Sequence, residues 1–127
     1  MSYKIDKTYA FDSYNMIGIS GGGWTTTLYS AIDPRITQSY SVADSLPLYL
    51  RTSSEDLGDY EQILPDLYKI TNYLDLYILD SYGNNRKHIQ IFNKYDPCCF
   101  SGESFQNYES GIQNTITELQ KGRFKIY

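Results

Sequence analysis

The stretch Gly18-Ile19-Ser20-Gly21-Gly22-Gly23-Trp24 is where this sequence concentrates chemistry. A hydroxyl flanked by glycines fits the G-x-S-x-G pattern of a nucleophile elbow, in which a sharp turn between a strand and a helix exposes the serine Oγ. The glycines have a steric reason. So tight a turn brings the backbones on either side of Ser20 together, and side chains at Gly18 and Gly22 would collide with it. The Gly21 N–H would then face the oxyanion of a tetrahedral intermediate, reinforced by the positive end of the following helix. Two phosphate-binding motifs fail at a residue they depend on. A P-loop needs lysine where Trp24 stands, and a dinucleotide fingerprint needs glycine where Ser20 stands. A less specific role remains open, in which the helix-terminal amides hold an anion or a partner, as in a small flavodoxin-like binding module.

Such a serine must be positioned by a buried strand and a helix, and the surrounding pattern predicts both. Asn15 to Ile19 is a short apolar run bounded by glycine, too short for a helix and suited to a fully buried strand. Trp24, Leu28, Ala31 and Ile32 then recur at helical spacing until Asp33-Pro34 ends the pattern. Ile36 to Val42 is strand-like, and the breaker-rich segment after it reads as a loop or short helical insertion. From Pro65, the residues Leu67, Ile70, Leu74, Tyr77 and Ile78 share one helical face, with Gly83 just past its end. His88 to Asn93 reads as a strand followed by a turn. Ser101 is a candidate N-cap for a helix striped by Phe105, Tyr108, Ile112, Ile116 and Leu119 and stopped at Gly122, and Arg123 to Tyr127 forms a last strand. Strands alternating with helices predict an α/β fold: a mostly parallel sheet of about four strands, with helices on both faces. Nothing in the sequence marks a repeat, linker or second domain, so residues 1–127 read as one domain.

The segment Met16 to Pro47 resembles the elbow region of α/β-hydrolase-fold serine esterases and peptidases. "RKHIQIFNKYDPCCF", Arg86 to Phe100, is similar to the strand and acid turn that follow in that family, and "GRFKIY" to the approach to its last strand. The resemblance implies the C-terminal portion of a three-layer hydrolase fold and hydrolysis of a small ester or amide without a cofactor. It places Ser20 as nucleophile, Gly21 as oxyanion donor and Asp96 as the acid, with Asp44, at another strand end, as the rival. Asp75 and Asp80 read as solvated helix residues, and turn capping is the plainer role for Asp96. His88, the only histidine, precedes Asp96 and opens a strand, so it is expected at the wrong end of the sheet, as a partly exposed residue. The family's histidine follows its last strand and its second oxyanion donor comes from far upstream, both outside this chain, so little or no turnover is expected from this polypeptide alone.

The remaining composition narrows partners rather than naming them. A net charge of -4 with interleaved acids and bases offers no basic stripe for a nucleic-acid backbone. No apolar stretch is long enough to span a bilayer and no signal peptide is evident, so the expectation is a soluble, by default cytoplasmic chain. Cys98 and Cys99 are adjacent, cannot tie distant segments together and lack zinc-site spacing; a thiol nucleophile there would need an activating cation, and small packing residues are the simpler reading. The 14 tyrosines could stack sugars, although scattered tyrosines more often pack half-buried. Finally, a fragment of a larger sheet would leave the Asn15–Ile19 strand as an open edge, which predicts a homo-oligomer.

Overall fold

In the computed structural model, which describes residues 11–127, the expected alternation of strands and helices is present. The elements are β1 (Tyr14–Ile19), α1 (Gly21–Ile32), β2 (Ile36–Val42), α2 (Tyr73–Ser81), β3 (Lys87–Ile91), α3 (Glu109–Glu118) and β4 (Arg123–Ile126). The strands form one parallel sheet in the order β1-β2-β3-β4. Between β2 and α2 the breaker-rich segment forms four short 3-10 turns.

The expectation of helices on both faces is corrected. Residues in register across the sheet divide it cleanly: Met16, Ser39, His88 and Phe124 share one face with Gly18, Ser41, Gln90 and Ile126. All three described α-helices lie against that face. Tyr77 of α2 stacks on His88 and Phe124, Ile112 and Ile116 of α3 join the cluster holding Phe124 and Ile126, and Trp24 of α1 packs on Tyr73. The reason is topological. Parallel crossovers share one hand, so a strand order that follows the sequence sends every helix to the same side. The opposite face carries Ile17, Tyr40, Ile89 and Lys125 in one row and Ile19, Val42 and Ile91 in the next. Ile17 is 73% and Ile19 68% exposed there, in a sheet type that is usually covered on both faces.

The helix boundaries also differ from expectation. α1 buries Gly23, Thr26, Thr27 and Ser30, whereas Ile32 is exposed; small residues let this helix approach the sheet closely. α2 starts not at Pro65 but after Asn72, whose Oδ1 accepts from the N–H groups of Leu74 and Asp75, so the exposed Ile70 lies outside it. α3 starts after Tyr108 rather than at Ser101, with a separate 3-10 turn at Ser104–Asn107, and Leu119 is exposed.

Two helix-to-strand turns depend on left-handed backbone, and Gly122 is the tighter of them. Its φ is 98°, and a Cβ there would stand 1.9 Å from the Ser81 carbonyl oxygen. Gly122→Ala is therefore expected to cost on the order of 3 kcal/mol, measured as a loss of urea midpoint with unchanged m-value. A change within experimental error would show that the α2 and α3 ends are not packed as described.

Candidate functional site

Ser20 occupies the bend between β1 and α1 with φ 55° and ψ −127°, a region that a residue bearing a Cβ adopts only under constraint. The constraint is visible around it. The Ser20 N–H donates to Val42 O at 2.9 Å, and Ser20 O accepts from the Trp24 N–H at 3.1 Å as the first helical bond. A Cβ on Gly18 would lie 2.0 Å from the Gly22 carbonyl oxygen, so the expected collision across the turn is present at Gly18. At Gly22 the expectation is corrected: a Cβ there would meet nothing within 4 Å, because it is the carbonyl of Gly22, not its Cα substituent, that faces the strand. Gly23 is closed too, with a Cβ falling 2.6 Å from that of Asp44. Ser20 itself is exposed, and its hydroxyl makes no capping bond.

The insertion after β2 folds over this end of the sheet. Its anchor is Arg51, whose Nε donates to Leu46 O at 2.6 Å, whose Nη1 donates to Leu57 O, and whose Nη2 donates to Gln62 Oε1 and to Tyr73 OH. Buried Gln62 in turn donates from Nε2 to Asp44 O at 3.0 Å. The result is a cavity of about 220 Å³ lined by Ser20, Ser54, Gly58, Asp59, Gln62, Cys99 and Phe100. Asp59 reaches furthest toward the turn: its Oδ2 lies 2.6 Å from where a Gly21 Cβ would be. A carboxylate beside the first amides of α1 is favoured by the helix dipole. This insertion has no hydrophobic period, so the sequence gives its place but not its contacts with Ser20.

Asp96 follows β3 and so lies at the same end of the sheet as Ser20, but no hydrogen bond joins the two, and Asp96 does not line the cavity. Its Oδ1 accepts from the N–H of Cys98 at 2.8 Å and of Cys99 at 3.3 Å, a turn-capping arrangement. Cys98 and Cys99 are joined as a disulfide, so neither is a thiol here.

Asp44 is fully buried under α1, with Oδ2 accepting from Thr27 Oγ1 at 3.0 Å and Ser45 Oγ at 2.7 Å, and Oδ1 without a partner among the described residues. Burial pushes its carboxyl above the usual range, opposed by the Ser45 hydrogen bond.

Asp80, expected to be solvated, is buried, and so is His88, expected to be partly exposed. His88 Nδ1 lies 2.7 Å from Asp80 Oδ2, off the line of a straight hydrogen bond, and 2.9 Å from Ser39 Oγ, which donates to Asp80 Oδ1 at 2.6 Å. A catalytic imidazole needs its serine at Nε2 and its carboxylate at Nδ1. Here both oxygens crowd Nδ1, Nε2 has no partner among the described residues, and Ser39 is buried, so the trio is a core polar cluster. Its register partner on β1 is Met16, four residues before Ser20, or roughly 13 Å along the strand. His88 therefore sits away from the elbow, as the sequence implied.

Comparison with known proteins matches the chain to no protein family, no curated protein and no solved structure. Among the described residues, no His, Cys, Asp or Glu cluster could hold a metal ion, and no helix is long and apolar enough to cross a membrane.

The raised carboxyl of Asp44 gives a prediction with a definite sign. Because the folded chain holds its proton more tightly than the unfolded chain does, the protonated form adds stability at low pH that is lost as pH rises through the folded value. Asp44→Asn removes that dependence. The melting temperature of Asp44→Asn relative to the parent is expected to rise with pH from below the usual carboxylate range toward neutrality. A difference that is flat or falls with pH contradicts the buried, unpaired Oδ1.

Proposed function

We propose that this chain carries the nucleophile portion of an α/β-hydrolase-like acyl hydrolase, acting on a small ester or amide. The reading rests on one observation: a serine, not a glycine, holds φ 55° and ψ −127° at the tip of a strand-turn-helix whose glycine-only close approach is at Gly18. In this reading Ser20 Oγ attacks the acyl carbonyl carbon and loses its proton to a base. The Gly21 N–H donates to the oxygen that becomes negative, and collapse expels the alcohol or amine with a proton. Water then repeats the sequence on the acyl-enzyme and releases the acid. Asp96 is the proposed orienter of the base, and using it requires Asp96 to turn from the Cys98 and Cys99 amides toward the elbow.

His88 cannot be that base, since it is buried and engaged with Asp80 and Ser39. Ser20 therefore has no imidazole to take its proton among the described residues, and turnover by the chain alone is expected to be negligible. The competing reading, an anion held by the Gly21 to Gly23 amides, is disfavoured by the Asp59 carboxylate already lying against Gly21. The same edge of the molecule carries a proposed self-association: among the described residues β1 is the outer strand of the sheet, with Ile17 and Ile19 exposed on it.

Supplying the missing base from solution tests the nucleophile. Incubation with a fluorophosphonate and intact-mass detection should give slow single labelling at Ser20, accelerated about tenfold or more by added imidazole and absent from Ser20→Ala. No adduct at Ser20 in imidazole, or equal labelling of Ser20→Ala, defeats the acyl-transfer reading. Fast ester hydrolysis without imidazole that is lost in Ser20→Ala defeats only the expected inactivity. For the β1 edge, light scattering at increasing concentration should give masses above one chain that fall on Ile17→Lys; a constant monomer mass rejects the pairing.

A further inference from the structure

Cations are distributed unevenly over this acidic chain. Of its eleven lysines and arginines, Arg35, Lys69 and Lys94 each pair with a carboxylate, Asp33 at 2.7 Å, Asp66 at 2.6 Å and Glu103 at 3.1 Å. Arg51 is spent inside the insertion on Leu46, Leu57 and Gln62. Four others, Arg86, Lys87, Lys121 and Arg123, lie at one end of the sheet, and Lys125 lies along the β4 edge beside them, over the Tyr127 ring. A hollow of about 740 Å³ is walled by Arg86, Lys87, Lys121 and Arg123 together with the amide side chains of Asn84 and Asn85. A second hollow of about 540 Å³ shares Lys87, Gly122 and Arg123 with it and adds Lys125. Among the described residues, no aspartate or glutamate lines either.

Among the described residues, Lys87, Lys121, Arg123 and Lys125 form no ion pair, although the chain has 15 acids against 11 bases. Only Arg86 has a carboxylate nearby, Asp80 at 4.0 Å, and its guanidinium is fixed by bonds to Ser30 O and Tyr82 O while its Nε remains unpartnered and buried. Gathering like charges without counter-charges costs self-repulsion, which a bound anion relieves. The C-terminal ends of α2 and α3 abut this end of the sheet and favour a cation in the last turn of each. Arg86 serves helix ends in this way through Ser30 O of α1 and Tyr82 O after α2, but α2 and α3 have no basic residue in their last turns, so helix-end neutralisation does not account for Lys87, Lys121, Arg123 and Lys125.

We propose that this cleft binds a small molecule carrying two or more phosphate groups. Its volume is that of a small-ligand site. Several cations within one hollow match adjacent phosphates better than a single monovalent anion, and side-chain amides add neutral donors. A nucleic-acid strand fits less well, because it must continue past the hollow over a surface whose net charge is negative. The cleft lies at the strand starts, with Lys87 and Arg123 opening β3 and β4, and Ser20 ends β1 at the far side. The inference is therefore independent of the acyl-transfer reading.

Tripolyphosphate is the probe. Calorimetric titration of the full chain at low salt should give one site, weakened as ionic strength rises and bound more tightly than orthophosphate. Lys121→Gln/Arg123→Gln should lose about tenfold or more in affinity, whereas Ser20→Ala should bind as the parent does. Amide shifts on titration should cluster at residues 83–87 and 120–123; this second readout stands even if the double variant folds poorly. Absence of binding at millimolar tripolyphosphate overturns the proposal. So do unchanged affinity in a folded double variant, shifts scattered over the surface, or tighter binding of a single-stranded oligonucleotide.

Discussion

The approach of the Gly22 carbonyl to Gly18 is the constraint from which the rest of this end of the molecule follows. With 2.0 Å between that oxygen and the position of a Gly18 Cβ, α1 can begin immediately where β1 ends, and Ser20 must take up the whole change of direction. Backbone strain of that kind amounts to about 1–3 kcal/mol and persists only where surrounding contacts enforce it. Here they are the Ser20 N–H bonded to Val42 O and the burial of Trp24 against Tyr73, one helical turn beyond the bend. The same closeness explains why α1 meets the sheet with Gly23, Thr26, Thr27 and Ser30 and why Asp44 is sealed beneath it.

One-sided packing is the second consequence of the chain path. A sequential strand order places α1, α2 and α3 in one layer, so the core is a slab between helices and sheet, filled mainly by aromatic rings. Tyr77 is its centre, stacked with His88, Tyr108 and Phe124 and hydrogen-bonded through its hydroxyl to Ser45. Burial drives the Tyr77 phenol far above its ordinary range, so it remains a neutral hydrogen-bonding group. The polar cluster of Ser39, Asp80 and His88 sits within this slab, where each partner needs the others because water is excluded.

All four strands and the strand-turn-helix bend at Ser20 were legible in the sequence, because the strands are short apolar or alternating runs and the turn has a steric demand at Gly18; β1, expected to be fully buried, instead exposes every second residue because no helix covers its other face among the described residues. Helix starts were less legible. Leu67 and Ile70 continue the spacing of α2 backwards, but the Asn72 side chain caps the helix and ends that continuation, leaving Ile70 in solvent. Ile32 extended the apparent face of α1, whereas the true contact face is made of threonine, serine and glycine, which carry little hydrophobic signal. The burial of Asp80 and His88 could not be read from either residue alone. It depends on α2 meeting both β3 and β2, the latter through Ser39 and Asp80, which are 41 residues apart. The Asp59 contact with Gly21 was equally hidden, since it is made by a segment with no period at all.

The two ends of the sheet differ in the charge they can accept. At the strand starts, Lys87, Lys121 and Arg123, none in an ion pair, line a polar hollow with no acid among the described residues. At the strand ends, the cavity around Ser20 has among the described residues one ionisable carboxylate, Asp59, and no lysine or arginine. Arg51, the nearest structural cation of the insertion, has its donors committed to Leu46, Leu57, Gln62 and Tyr73. An anionic acyl substrate at Ser20 would thus meet the like charge of Asp59, moderated by solvent because both residues are exposed. Under the acyl-transfer reading, the elbow suits an uncharged acyl group whose negative charge develops only as Ser20 attacks. Asp59, beside the Gly21 Cα, is then a like charge near the forming oxyanion, so under that reading the insertion as well as the sheet bears on how readily Ser20 reacts.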